Sequence, residues 1–172
     1  MSNNLLKGKR GIIFGALNDM SIAWKVAERA QEEGATFTLT NAPIAMRMGA
    51  INDLAEKTNS EVIPADATSV EDLKHLFEKS QEILGGKVDF VLHSIGMSPN
   101  VRKKKQYTGL NYEWYKQTLD VSAMSLHKTL QVAYDMDALN NWGSVLALTY
   151  IAAQRIFPDY NDMADAKSLL ES

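Results

Sequence analysis

Three side chains near the carboxyl end could do chemistry together. Tyr150 closes an apolar run, Tyr160 follows ten residues later, and Lys167 lies seven residues beyond that. If Tyr160 and Lys167 share a helix, seven residues make about two turns, so both project from one face with roughly 10.5 Å of rise between them. A tyrosine hydroxyl so placed can donate to a reacting carbonyl, while the long lysine stem reaches a ribose diol. Tyr150, at the carboxyl end of a strand, would open onto the same crevice. A tyrosine taken alone is ordinarily a packing residue; three such groups converging on one crevice are less readily dismissed.

The elements that must position them alternate along the chain. Arg10–Phe14 reads as a short buried strand ended by Gly15, and Ser21 as the N-cap of a helix that runs to Glu33 and is closed by Gly34. Residues 35–40 form a second strand, Pro43–Lys57 a helix, and Glu61–Pro64 a third strand. Ser69–Leu84 carries apolar positions at Val70, Leu73, Leu76, Phe77 and Leu84, the stripe of an amphipathic helix. Val88–His93 is apolar enough to be a central strand. A polar loop over residues 98–109 holds the basic run Arg102–Lys105, which reads first as a solvated loop and second as a surface for an acidic partner. A long helix is predicted over Tyr112–Met136 with Leu119, Ala123, Leu126, Leu130 and Ala133 on its buried face. Gly143–Tyr150 follows as the fifth strand, and a last helix begins near Tyr160. Alternation at this spacing implies right-handed crossovers and an α/β parallel sheet covered by helices on both faces.

Ligands of such sheets bind beyond the carboxyl ends of the strands. That rule makes Gly15–Ile22, Asn41, Asp66-Ala67, Ser94-Ile95-Gly96 and Tyr150 the candidate site. The first turn has one glycine where the dinucleotide fingerprint has three. It keeps a glycine at the strand end and a helix N-terminus whose free N–H groups suit a pyrophosphate. The second strand ends without an acid for a ribose diol and without an adjacent arginine for a 2′-phosphate, which favours NADH over NADPH; Arg47 is the nearest cation. Asp66 could accept from an adenine amino group or simply cap a turn. His93 reads as a packed core residue.

With 172 residues, a net charge of −3 and no cysteine, the chain is long enough for a core and carries neither a disulfide scaffold nor a thiolate metal site. His75, His93 and His127 are scattered, so no metal centre is expected. The mild charge points away from nucleic acid, and there is no apolar run of bilayer-spanning length. A single dinucleotide-binding domain over residues 1–172, located in the cytoplasm, is expected.

The residues just quoted resemble the short-chain dehydrogenase/reductase superfamily, in its divergent branch of bacterial NADH-dependent enoyl-[acyl-carrier-protein] reductases of the FabI type. The resemblance rests on Gly15-x5-Ser21-Ile22-Ala23, Asp66, His93-Ser94-Ile95-Gly96, Tyr150 and above all Tyr160-x6-Lys167; ordinary superfamily members use Tyr-x3-Lys, where this chain has Ala164. It implies a Rossmann-type doubly wound sheet of strand order 3-2-1-4-5. It implies reduction of the trans-2 double bond of an acyl-carrier-protein-bound enoyl thioester in fatty-acid elongation, and a homotetramer. By the same resemblance Tyr160 donates to the thioester carbonyl or enolate oxygen, Lys167 binds the nicotinamide ribose, and Tyr150 lines the pocket. Gly15, Ser21 and Ile22 would hold the pyrophosphate, Asp66 and Ala67 the adenine, and Ser94, Ile95 and Gly96 the ribose and nicotinamide region, with Met97 beside the acyl pocket. Asn41-Ala42 stand where the family carries a longer polar side chain. Family members continue beyond the position of Ser172 with a sixth and a seventh strand and a substrate-covering segment. A fragment of a longer enzyme is therefore expected, with Ser144–Leu148 as an exposed apolar edge; the alternative is a non-catalytic dinucleotide-binding module of the same fold.

Overall fold

The computed structural model describes residues 3–47 and 50–172. Five parallel strands form one sheet in the order β3-β2-β1-β4-β5: β1 (Arg10–Phe14), β2 (Thr36–Thr40), β3 (Glu61–Val62), β4 (Val88–His93) and β5 (Leu139–Ala147). The predicted strand order and doubly wound class are those observed. β1 is flanked on both sides, pairing Ile13 with Leu39 of β2 and with Leu92 of β4. Successive side chains of a strand point to opposite faces, so β1 feeds two cores. Ile12 and Phe14 pack with Leu73, Leu76 and Phe77 of α4 (Val70–Leu84) and Val132 of α7 (Ser125–Asp135). Ile13 packs on the other face with Ala23, Trp24 and Ala27 of α1 (Ile22–Glu32) and Ile51 and Leu54 of α3 (Ala50–Thr58). Two buried layers on one central strand hold the strand ends, and hence the crevice above them, in fixed relation.

Local signals explain most boundaries. The Ser69 hydroxyl accepts from the N–H of Asp72 at 3.2 Å to open α4, and Gly85, with φ of 75°, closes it in the left-handed conformation that glycine adopts without a Cβ penalty. Asn111 likewise opens α6 (Tyr112–Leu119) by accepting from the N–H of Trp114. Three expectations need correction. The helix expected over Pro43–Lys57 is a one-turn α2 (Pro43–Met46) and a separate α3, with Met48 and Gly49 outside the described residues. The fifth strand starts at Leu139, four residues before Gly143, because a bulge between Val88 and Phe90 lets β5 rejoin the ladder; it ends at Ala147, leaving Tyr150 in the loop beyond. The loop after β4 contains α5 (Pro99–Arg102), opened by the Ser98 hydroxyl, and a 3₁₀ turn at Tyr107–Gly109.

The long helix departs from its expected face as well. α6 and α7 are joined through a π-bulge at Asp120–Met124, and the extra residue rotates the buried stripe. Of the five apolar residues expected inside, Ala123 and Ala133 are buried, whereas Leu130 is exposed. Thr118, Ser122, Ser125 and Thr129 are buried instead. Thr129 and Ser125 donate their hydroxyls to the carbonyls of residues 125 and 121 of their own helix, and Ser125 also meets His93 Nε2; the Thr118 hydroxyl is shared between the Trp114 carbonyl and the Asp162 carboxylate, each at 2.8 Å. α8 (Asn161–Glu171) packs against α6 and the bulge. The outer edge of β5 is unpaired among the described residues, with Trp142 and Leu146 exposed. Among the described residues, no helix is long and apolar enough to cross a membrane.

Candidate functional site

A cavity of about 530 Å³ opens beyond the carboxyl ends of β1, β2 and β4. Gly15, Asn41 and Asp66 line one side, and Ser94, Ile95, Gly96 and Met97 the other. Six of the twelve predicted site residues, Gly15 among them, therefore stand in one crevice, which is the position that the parallel topology assigns to a ligand. Arg102, Gln117 and Val121 complete the wall beside Met97.

Gly15 is held at φ of 85° by its N–H bond to the Thr40 carbonyl. A Cβ built there would lie 1.9 Å from the Ser94 carbonyl oxygen, so only glycine lets the ends of β1 and β4 close together. Ser21 is the N-cap of α1, as predicted, yet its hydroxyl serves the turn: it accepts from the N–H groups of Leu17 and Asn18, both at 3.1 Å. Trp24 and Lys25 already bond the Ser21 carbonyl, so the N–H groups left free at the start of α1 are those of Ile22 and Ala23. The Ile22 side chain is exposed beside them. Asp66 lines the cavity, and one of its carboxylate oxygens accepts from the N–H and hydroxyl of Thr68, which is the turn-capping role. Ala67 is buried behind it.

Gly96 forms an open floor, for a Cβ there would meet nothing closer than 3.7 Å, and its nearest neighbours are the ends of Met163 and Lys167. Lys167 is 6% exposed. Its ammonium donates to the carbonyls of Ile95 at 3.1 Å and Leu148 at 2.8 Å. Burial holds it below the usual lysine range. The same site governs His93, fully buried with its Nε2 2.8 Å from the Ser125 hydroxyl. Burial, and then the charge of Lys167, push the imidazole down to about 4, so it is a neutral core residue as expected.

The Tyr150 and Tyr160 rings stand 4.8 Å apart, with Phe157 5.3 Å from Tyr150. Both tyrosines lie outside the crevice that Lys167 underlies. Burial, then the Tyr150 phenol, raise the Tyr160 hydroxyl, keeping it a proton donor at neutral pH. Asp159 and Asn161, on either side of Tyr160, both have positive φ, at 62° and 42°. Aspartate and asparagine tolerate that region better than other non-glycine residues, and the Asn161 amide is fixed by donating to the Lys105 carbonyl at 2.7 Å.

Sequence reasoning missed two polar anchors. The Ser122 hydroxyl accepts from the Met97 N–H at 3.0 Å and lies 3.2 Å from the Met97 carbonyl, clamping the crevice wall. Asp162 is fully buried and accepts from Ser98, Asn100 and Thr118. A signal for the first existed: hydroxyls at 118, 122, 125 and 129 recur at helical spacing on one face. Nothing in the spacing around Asp162 distinguishes it from the exposed Asp165 of the same helix.

Comparison with known proteins bears on the same residues. The family model described as enoyl-(acyl carrier protein) reductase matches residues 15–172. The enoyl-[acyl-carrier-protein] reductase [NADH] FabI of Rickettsia conorii is 32% identical over all of this chain, which covers 65% of that protein. FabI from Alistipes finegoldii is 65% identical with a TM-score of 0.95, over 98% of this chain and 64% of that one. The FabI-NADH complex from the same organism has the same identity and TM-score, over 98% of this chain and 59% of that one. The chain thus spans just under two thirds of the length of the Rickettsia relative. A parallel sheet ordered 3-2-1-4-5, a glycine-closed crevice above it, a buried lysine beneath Gly96 and a family match from Gly15 to Ser172 together place this chain in the enoyl-(acyl carrier protein) reductase family.

Proposed function

We propose that this chain carries the cofactor crevice and the tyrosine–lysine pair of an NADH-dependent enoyl-[acyl-carrier-protein] reductase. The observation that carries the reading is the placement of Lys167, buried beneath the open Gly96 floor with its ammonium held on the Ile95 carbonyl. From there a small rotation of the side chain exchanges a backbone carbonyl for a ribose hydroxyl. The residues present fit the cofactor. The cavity has the volume of a small-molecule site; glycines stand at the two close approaches, and the α1 N-terminus faces the turn where a pyrophosphate belongs. Bound NADH would supply hydride to the β-carbon of a trans-2-enoyl thioester. Lys167 then orients the nicotinamide ribose, and its positive charge favours the negative charge developing on the thioester oxygen. Tyr160, held protonated, donates to that oxygen, and the Tyr150 ring packs against it at a tilt to fix its position. Gly15, Ser21 and Ile22 take the pyrophosphate end, Asp66 and Ala67 the adenine end, and Ser94, Ile95, Gly96 and Met97 the nicotinamide and acyl end. The whole enzyme of this family would act on acyl-carrier-protein-bound substrate as a homotetramer in the cytoplasm.

The test is NADH consumption with a crotonyl thioester, beside NADH binding measured by fluorescence. Tyr160→Phe should bind NADH like the parent and lower turnover by about 10²-fold or more. Lys167→Ala should weaken NADH binding as well. NADH binding without turnover in the parent would leave a dinucleotide-binding module, and failure to bind NADH would refute the proposal.

A further inference from the structure

We infer that Asp162 is a positioning residue for Lys167, a role that rests, for its functional weight, on Lys167 being the ribose-binding lysine. Asp162 is fully buried, yet its three partners are all neutral. The Ser98 hydroxyl donates to one carboxylate oxygen at 2.7 Å; the Asn100 amide and the Thr118 hydroxyl donate to the other at 2.9 and 2.8 Å. Burying a carboxylate without a cation is costly unless such donors are held ready for it. They are held ready here. Asn100 is itself fixed by a reciprocal pair with the backbone of Asn111, at 3.0 and 3.1 Å, and Ser98 is fixed by its cap bond to Val101.

The geometry of the attachment says what the cluster does. Ser98 follows Met97, which lines the crevice, and lies three residues beyond Ile95, whose carbonyl holds the Lys167 ammonium. α8 is therefore tied to the segment after β4 at two points, Asp162 and Lys167. Five residues of helix separate them by roughly 7.5 Å along the axis and about 140° around it. Two attachments offset in both coordinates fix the tilt and the rotation of α8, where a single one would leave a hinge. Lys167 is so delivered beneath Gly96, and Tyr160 stands two residues before the anchor. A carboxylate suits this task because it accepts from all three donors at once, whereas an amide of the same shape offers one oxygen and turns a donor toward its neighbours.

The decisive experiment compares the full 172-residue chain with Asp162→Asn by amine acylation under trace reagent, read residue by residue by mass spectrometry well below both melting temperatures. In the parent, Lys167 should react far more slowly than the exposed Lys74. In Asp162→Asn its rate should rise by about tenfold or more, as expected for loss of a charged buried hydrogen bond, with Lys74 unchanged. A lowered Tm with Lys167 still protected would show Asp162 to be merely structural and overturn the inference. Ser98→Ala combined with Thr118→Val removes two donors while keeping the carboxylate, and should loosen Lys167 in the same way even if Asp162→Asn fails to fold; unchanged protection there overturns it too. Binding of NADH and ADP supplies a second readout: Asp162→Asn should weaken NADH and spare ADP, which does not reach the lysine. Equal losses for both ligands would count against positioning. A parent that binds no NADH refutes the functional reading alone, and the acylation rates still decide the role of Asp162.

Discussion

Gly15 offers the sharpest test of how the crevice is built. Replacing it with alanine imposes two separable penalties. The first is conformational: φ of 85° lies in the left-handed region, where a Cβ costs about 1–2 kcal/mol. The second is steric, because the new Cβ would sit 1.9 Å from the Ser94 carbonyl oxygen, a backbone atom with no flexible end to swing aside. The ends of β1 and β4 would have to separate, and overpacking of that kind costs about 1–3 kcal/mol more. Two other glycines divide the terms. Gly85 has φ of 75° and nothing within 4 Å of a built Cβ, so Gly85→Ala reports the conformational penalty alone. Gly109 also has open space and lacks a left-handed φ, so Gly109→Ala should be neutral or stabilising by up to about 1 kcal/mol. Urea midpoints of the three variants at constant slope give the stabilities. The expected order is Gly109→Ala, Gly85→Ala, Gly15→Ala, with the last destabilised by about 2–5 kcal/mol in all. ADP binding should fall for Gly15→Ala and be unaffected in the other two. If Gly15→Ala costs no more than Gly85→Ala, the close approach of β1 to β4 is not what fixes the crevice.

Acid should unfold the chain partly through His93. Its folded pKa of about 4 lies below the ordinary 6.5, so the stability from keeping it neutral is complete above pH 6.5 and lost as pH falls from 6.5 toward 4. The two values differ by enough to supply about 3 kcal/mol; a His93→Gln variant should flatten the stability profile in that window, and an unchanged profile would refute the assignment. Trp142 is fully exposed with φ of 65°, strained for a bulky residue, so Trp142→Gly should be neutral or stabilising by up to about 1 kcal/mol by thermal melting, and a loss would show hidden packing. Lys57 bonds Glu28, whose carboxylate this bond and then Lys25 hold down to about 2, but Lys57 is exposed to solvent, so Lys57→Ala should lower the melting temperature little in the same assay, and less again at high salt; a large loss at high salt would show packing beyond the ion pair.

The periodicity of the chain was enough to determine the class of fold. Apolar runs such as Ile12–Phe14 and Val88–His93, separated by amphipathic stretches such as Val70–Leu84, leave a covered parallel sheet as the arrangement that buries them, and strand ends then mark the crevice. Turn chemistry was legible for the same reason: Gly15, Ser21 and Gly34 act through backbone geometry within a few residues. The spacing of Tyr160 and Lys167 likewise marked the candidate chemistry. Tertiary structure decided what depends on residues far apart in the chain. The bulge opposite Val88 moved β5 four residues earlier, and the π-bulge brought a hydroxyl face inward while leaving the predicted Leu130 exposed. Asp162 and Asp165 stand three residues apart on one helix; one is fully buried under donors from α5 and α6 and the other is exposed, with the Tyr115 hydroxyl on its carboxylate. Local sequence sets what a residue can offer, but which groups surround it is set by chain segments about 44 to 64 residues away, and burial energetics follow from those surroundings.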